Sequence, residues 1–193
     1  MSWILASASP RRKELLAELI KEFEVLPSNA DESVTGKLSS KALVETLASR
    51  KAEEVALRPE NAEKFVLGSD TVVVFGKEVL GKPKDEEDAF RMLKMLSGKK
   101  HAVYTGVCFA YKKEGTYRYI CQTEKTLVYF NKLSDEWIKE YIAGGSPMDK
   151  AGAYGIQDGG LVKKIKGSYT NVVGFPLELV RKMIVKAENE WND

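Results

Sequence analysis

Residues Leu5-Ala6-Ser7-Ala8-Ser9-Pro10-Arg11-Arg12-Lys13-Glu14-Leu15-Leu16 read as a short apolar strand, a tight turn of small residues and a helix. Ser9 suits the N-cap and Pro10 the first helical position, where a missing N–H removes no bond. A strand that feeds straight into a helix points to α/β layers. The free amides of the first helical turn attract anions, and small residues let an anion reach the backbone. Arg11 and Arg12 add two guanidinium forks where positive charge opposes the helix dipole. Stability alone would place acids there. One arginine would read as a solvated side chain on a capped helix; two behind a Ser-Pro cap read as a phosphate site.

The rest of the chain alternates strands and helices. Ile4–Ala6 reads as a strand and Pro10–Ile20 as a helix with Leu15, Leu16 and Leu19 on its inner face. A strand at Phe23–Pro27 precedes a polar loop, Ser28–Leu38, that contains Asp31 and Glu32. Ser39 or Ser40 starts a helix to about Leu57, closed by Pro59. Phe65–Phe75 is a valine-rich strand interrupted by Ser69-Asp70-Thr71. It turns at Gly76-Lys77 and returns through Glu78–Leu80 to Gly81-Lys82-Pro83. Asp85 caps a helix to Leu96. Strands at Ala102–Tyr111 and Thr116–Tyr129 join at Glu114-Gly115, and Ser134 caps a helix to Ala143. An irregular stretch, Gly144–Gly160, leads to a strand at Leu161–Ile165 and a last helix from Pro176. Without repeats or linkers, the pattern predicts one α/β unit with a mixed sheet that includes antiparallel pairs. A chain of 193 residues supports one sizeable core, or a core divided into two lobes.

Composition excludes several classes. A net charge of +2 leaves no nucleic-acid footprint, so any basic site is local. No apolar run approaches membrane-spanning length, and the start lacks a basic leader, which predicts a cytoplasmic protein without membrane partners. Two well-separated cysteines match no zinc pattern. The only histidine, His101, follows Lys99-Lys100 where a strand begins and reads as a surface residue, so histidine-based nucleophilic catalysis is not expected. A hard cation held by carboxylates remains, and such cations usually work with phosphates.

Asp70 stands out among the carboxylates. Apolar residues on both sides imply a buried strand, and an acid there needs a charged partner, a metal or a catalytic task. A structural salt bridge, or a turn aspartate at a strand end, is the plainer reading. Lys82 lies in a turn made rigid by Gly81 and Pro83, from which it can serve phosphate as a point charge. Asp149-Lys150-Ala151-Gly152-Ala153-Tyr154-Gly155-Ile156-Gln157 and Gly167–Gly174 mix small residues with glycine. They either wind closely around a ligand or form tight loops under the sheet. Gln157 carries both a donor and an acceptor, as recognition of a nucleobase edge requires.

Leu5–Arg12, Ser69-Asp70-Thr71, Gly81-Lys82-Pro83, Asp149–Gln157 and Gly167–Pro176, in that order, resemble the Maf-like nucleotide pyrophosphatases. The resemblance covers nearly the whole chain. It implies a single α/β domain, residues 1–193, of two lobes around a central twisted mixed sheet flanked by helices, with the active-site cleft between the lobes. It also implies hydrolysis of nucleoside triphosphates to monophosphate and pyrophosphate, dependence on a divalent cation (magnesium or manganese), and a homodimer. By matching motif, Asp70 falls at the proton acceptor, and Ser9, Arg11, Arg12, Lys51 and Lys82 at phosphate-binding positions. Lys82 thereby joins Asp70 and Glu32 among the catalytic residues. Glu32 falls at a metal-binding or catalytic carboxylate, so Asp70 and Glu32 are the metal candidates. Arg11, Thr71 and Gln157 resemble the branch that acts on dTTP and UTP.

Hydrolysis at the α–β anhydride needs neutralised phosphate charge, a positioned water and a stabilised leaving group. The helix amides, the arginines, Lys51 and Lys82 can neutralise; Asp70 can take the proton of a metal-activated water. The competing class is a nucleotide-binding regulatory module that keeps the pocket without turnover. Separately, a two-residue turn at Glu114-Gly115 places Cys108 opposite Cys121, a neighbouring pair with no catalytic role, whereas a three-residue loop with Gly115 left-handed would shift the register by one and set Cys108 opposite Ile120. A cytosolic setting favours free thiols there, thermophiles excepted.

Overall fold

The computed structural model, which describes residues 2–192, contains one seven-stranded mixed sheet. Its strands are β1 (Ser2–Leu5), β2 (Glu24–Val25), β3 (Lys64–Phe75), β4 (Glu78–Leu80), β5 (Lys100–Lys113), β6 (Thr116–Phe130) and β7 (Val162–Lys166). The main order is β2-β1-β3-β5-β6-β7. β1 runs parallel to β2 and β3, and every other pair is antiparallel. β5 covers one edge of β3 from Val66 to Val74. On the opposite edge, β1 pairs with Lys64–Leu67 and β4 with Val73–Phe75. Residues 68–72 of that edge have no neighbouring strand among the described residues. This gap positions the site.

Six helices flank the sheet: α1 (Pro10–Ala17), α2 (Ser40–Ala56), α3 (Glu86–Leu96), α4 (Asp135–Ala143), α5 (Tyr169–Val173) and α6 (Leu177–Asn192). Ser9, Ser39, Asp85 and Ser134 each accept the N–H three residues on, so the polar caps seen in the sequence begin the four helices expected of them. Side-chain alternation along β3 splits the core. Phe65 and Leu67 pack with Trp3, Leu16, Phe175 and Met183, beneath α1 and α6. Val66 packs on the other face with Ile4, Ala48, Ala52 and Val55, beneath α2. Farther along, Val73 and Val103 join Leu80, Leu93, Val128 and Ile138 under α3 and α4. The third cluster lends Val73, Val103 and Tyr154 to a cleft that the second borders through Ala6.

α2 sits unusually low on the sheet because two strand positions have no side chain. A Cβ on Gly68 would come within 2.3 Å of the Ala48 carbonyl, and one on Gly106 within 2.3 Å of the Val44 carbonyl. Gly106 is the partner of Asp70 across β3 and β5, so this close approach brings α2 onto Asp70.

Several boundaries differ from expectation. α1 ends at Ala17 rather than Ile20, and the second strand shrinks to Glu24–Val25 because β1 alone pairs with it. Gly144–Gly160 contains three short 3₁₀ turns, Ser146–Asp149, Ala151–Ala153 and Ile156–Asp158. The five-residue α5, between the Ser168 cap and Gly174, was not anticipated, since so short a helix carries no periodicity. His101 is not a surface residue: it is only 3% exposed. Alternation on β5 turns Lys100 outward and His101 inward, on the same face as Val103.

The β5–β6 hairpin has the expected two-residue turn, with Glu114 and Gly115 both at positive φ, and pairs Cys108 with Cys121. The two sulfurs are joined in a disulfide rather than left as free thiols.

Candidate active site

The open edge of β3 is the floor of a cleft of about 640 Å³. α1 supplies one wall. Ser9 is engaged as its cap, accepting from the Arg12 amide at 3.5 Å. The Arg12 guanidinium crosses the gap in β3. Its Nε donates to the Gly174 carbonyl at 3.0 Å, Nη1 to the Ser69 carbonyl at 2.8 Å and to the Ser7 hydroxyl at 3.2 Å, and Nη2 to the Thr71 hydroxyl at 3.2 Å. Four of its five N–H groups are thus used within the protein. Burial pushes the Arg12 pKa down, against the raising effect of Asp70. Arg11 reaches the other way, across the mouth of the cleft, and pairs with Asp149 at 2.9 Å. Burial works to raise the Asp149 carboxyl, but hydrogen bonds from Lys150 and Arg11 outweigh it and hold the group below the usual range.

The second wall is α2. Lys51 points down to the sheet, its side chain only 14% exposed, and its Nζ lies 2.7 Å from Asp70 Oδ1 and 2.9 Å from Glu32 Oε1. Asp70 is 8% exposed, while Glu32 sits on an exposed loop. Arg50 secures that loop by donating to the carbonyls of Asp31 and Ser33. Two carboxylates from distant parts of the chain therefore converge on one cation. The Thr71 hydroxyl, facing away from α2, shares a 3.0 Å hydrogen bond with Thr105 directly across the sheet.

The third wall is the stretch from Ser146 to Asp158 together with the Gly81-Lys82-Pro83 turn. The two are stitched by the Gly152 amide, which donates to the Gly81 carbonyl at 2.9 Å. Lys82 lines the cleft, exposed and without an ion pair among the described residues. Gln157 also lines it and has no protein hydrogen bond among the described residues, so its amide is free to meet a ligand. All nine residues singled out in the sequence border this one cleft.

Sequence reasoning assigned no role to Lys150 or Tyr154, although both lie in a motif it quoted. Lys150 bonds Ser146 and Asp149 and stands behind the Arg11–Asp149 pair. Tyr154 is buried with one side to the cleft. A lysine and a tyrosine among small residues give no local signal of direction; 3₁₀ turns and tertiary packing aim them.

A protein-family model described as Maf-like protein matches residues 2–187. The chain belongs to the Maf family.

Similar proteins include the dTTP/UTP pyrophosphatase of Agathobacter rectalis, 50% identical over 90% of this Maf chain and 91% of the relative. That of Thermococcus kodakarensis is 49% identical over 93% and 94%, and that of Thermosipho africanus is 48% identical over the whole of both chains. Among solved structures, the Staphylococcus aureus Ham1 protein superposes with a TM-score of 0.56, covering 97% of this chain and 100% of that one. At 13% identity it speaks to the fold alone. Among the described residues of the Maf chain, no group of three or more His, Cys, Asp and Glu residues gathers to hold a metal by protein ligands alone. Among the described residues, no helix is long and apolar enough to cross a membrane.

Proposed function

We propose that this Maf protein hydrolyses nucleoside triphosphates, dTTP and UTP foremost, to the monophosphate and pyrophosphate. The observation that carries the reading is Asp70: a carboxylate buried in the sheet, at the one gap in its edge, facing a cleft rimmed by Arg11, Lys51 and Lys82. The family's relatives named dTTP/UTP pyrophosphatase support it.

The residues divide the work. Lys82, the free N–H groups of Arg11 and the one left on Arg12 neutralise the triphosphate and its leaving pyrophosphate. Lys51 holds Asp70 by Oδ1 and Glu32 at the same point, which leaves Asp70 Oδ2 without a protein partner among the described residues. Oδ2 is the proton acceptor for a water aimed at the anhydride. Gln157 meets the base edge.

A divalent cation fits the donor set. Magnesium commonly uses one or two carboxylates and takes its remaining ligands from substrate phosphates and water, and Asp70 and Glu32 already meet at one cationic point, where Lys51 Nζ stands. Asp70 and Glu32 would hold magnesium or manganese together with substrate phosphates, and the ion would supply charge neutralisation and a more acidic water. The same reading places the protein in the cytoplasm, among free nucleotides.

The test is a panel of common and modified triphosphates with magnesium or manganese, scoring both products. Fastest release of pyrophosphate and monophosphate from dTTP and UTP is expected. Orthophosphate as the product would overturn the reading, and tight binding without turnover would identify a regulatory module instead.

A further inference from the structure

α2 lies over Gly106 with Val44 and over Gly68 with Ala48 and Ala52, so its N-terminus points towards Tyr104. Beyond it the same face of the sheet continues as three rows of residues opposed across the strands. Val79, Val74, Ala102, Leu127 and Lys166 run side by side across β4, β3, β5, β6 and β7. Tyr104 and Lys125 form the row on one side, and Lys100, Tyr129 and Lys164 the row on the other. Alternation turns their neighbours His101, Val103 and Val128 into the core and these residues outwards. None of the apolar members joins any of the three core clusters, and Val79 is 43% exposed.

The rows carry four exposed lysines and no acid. None of Lys100, Lys125, Lys164 and Lys166 has an ion pair among the described residues. Neighbouring acids turn elsewhere: Glu124 stands opposite Thr105 on the other face, and Glu78 pairs with Arg91. The net charge of +2 sums over the whole surface and conceals this local excess. Lysines on an edge strand guard it against pairing with another chain. That accounts for Lys164 and Lys166 on β7, but not for Lys100 and Lys125, which stand on interior strands.

Two rings complete the surface. Lys125 Nζ lies 5.3 Å from the centre of the Tyr104 ring and Lys164 Nζ 4.7 Å from that of Tyr129, so both rings turn a face to the lysine side of the sheet. Along the strands the rings stand roughly 13 Å apart, four residues at about 3.3 Å each. A cation on an exposed ring is held weakly and a stacked base more firmly, and a lysine stem is long enough to carry its charge to a phosphate beside the ring. An open sheet with rings, an apolar strip and unpaired lysines suits a strand whose bases are free to stack and whose every residue bears a phosphate. A duplex hides its bases, and a second copy of this chain would set lysines against lysines.

We propose that this sheet face binds single-stranded nucleic acid, with bases on Tyr104 and Tyr129 and phosphates on Lys100, Lys125, Lys164 and Lys166. None of these six residues lines the cleft, so the site is separate from the one described above and does not depend on the function read there.

The test is fluorescence anisotropy of a short labelled oligothymidine with the full chain across a range of salt. Affinity should fall with salt at a log–log slope of about −0.7 per phosphate held, roughly −3 for four lysines. Lys125→Gln with Lys164→Gln should halve that slope and weaken binding at least about tenfold at low salt, while dTTP turnover and melting stay as in the parent. Tyr129→Leu should weaken binding about tenfold with the slope unchanged, the mark of a lost stack rather than a lost charge. A duplex of the same length should bind more weakly. No binding at low salt, binding that inorganic pyrophosphate displaces, or losses confined to the lysine changes would overturn the proposal. So would sedimentation showing a dimer that Leu127→Glu dissociates, which would make this face a contact between copies.

Discussion

At the α1–α2 end of the cleft, Arg12 and Lys51 are held by six polar contacts of 2.7 to 3.2 Å. At the α3–α4 end, Tyr154 has one hydrogen bond, to His101, and otherwise rests on Phe130, Val73 and their neighbours. The first end is set by charge and direction, the second by packing. Directional contacts tolerate little displacement, and each is lost when one partner goes. Packing spreads its contribution over many contacts of about 0.1–0.2 kcal/mol, so no single atom decides it. The contrast teaches why the charged end announces itself in short motifs while the apolar end does not.

The sharpest way to break the comparison is Asp70→Asn. Removing a general base typically costs ~100- to 10,000-fold in rate. The amide keeps the shape, and Glu32 still holds Lys51, so the melting temperature should stay near the parent's. Activity within a few-fold of the parent would mean that charge at this end serves structure only.

Arg12→Ala tests the structural side of the same end. Breaking a buried charged contact by removing one partner typically costs about 3 kcal/mol or more, and Arg12→Ala should destabilise by about 3 kcal/mol. At 2–4 °C per kcal/mol for a chain of this size, melting should fall by roughly 6–12 °C. A large loss of triphosphate affinity without loss of stability would instead make Arg12 purely a ligand for phosphate.

The packed end has its own signature, in acid. Burial lowers the His101 pKa from 6.5 to about 4 in the folded protein, and no charged neighbour contributes. Its ordinary value applies in the unfolded chain, so between these limits the unfolded state binds the extra proton. Stability is therefore full above pH 6.5 and declines as pH falls towards about 4, by about 3 kcal/mol in all. Melting curves of the parent and His101→Gln across this range check it. A parallel decline in both would remove His101 from the account.

Gly106→Ala tests how far Lys51 depends on the seating of α2. The added methyl would press on the Val44 carbonyl at 2.3 Å and lift α2 from the sheet. Overpacking of this kind costs roughly 1–3 kcal/mol. Because α2 carries Lys51, turnover should fall with it. Unchanged turnover would show that Lys51 does not need this seat.

Much of the charged end was legible in residues close in sequence. Ser9-Pro10-Arg11-Arg12 specifies a helix start and a cluster of donors within one turn. Asp70 announces itself as an acid where the alternation of β3 allows only apolar groups. Hairpin chemistry at Glu114-Gly115 narrowed the register to two choices, and the two-residue turn that the structure adopts leaves Cys108 opposite Cys121. His101 was misread because Lys99-Lys100 beside it looked like surface, while the parity of β5 depends on where the strand begins. The stretch from Ser146 to Asp158 was legible only as irregular, since 3₁₀ turns have no long period to detect.

Local chemistry by itself determined the elements, their caps and the acids and bases that gather at the cleft, because each depends on neighbours a few residues away. Tertiary structure alone decided that β1 and β4 leave a gap on the same edge of β3, and that two glycines let α2 bring Lys51 within 2.7 Å of Asp70. It also decided that Arg12 spends four donors on the protein and that a buried histidine takes up the Tyr154 hydroxyl. Those outcomes join residues far apart in the chain, and contacts of that kind form only once the whole sheet and its helices are packed.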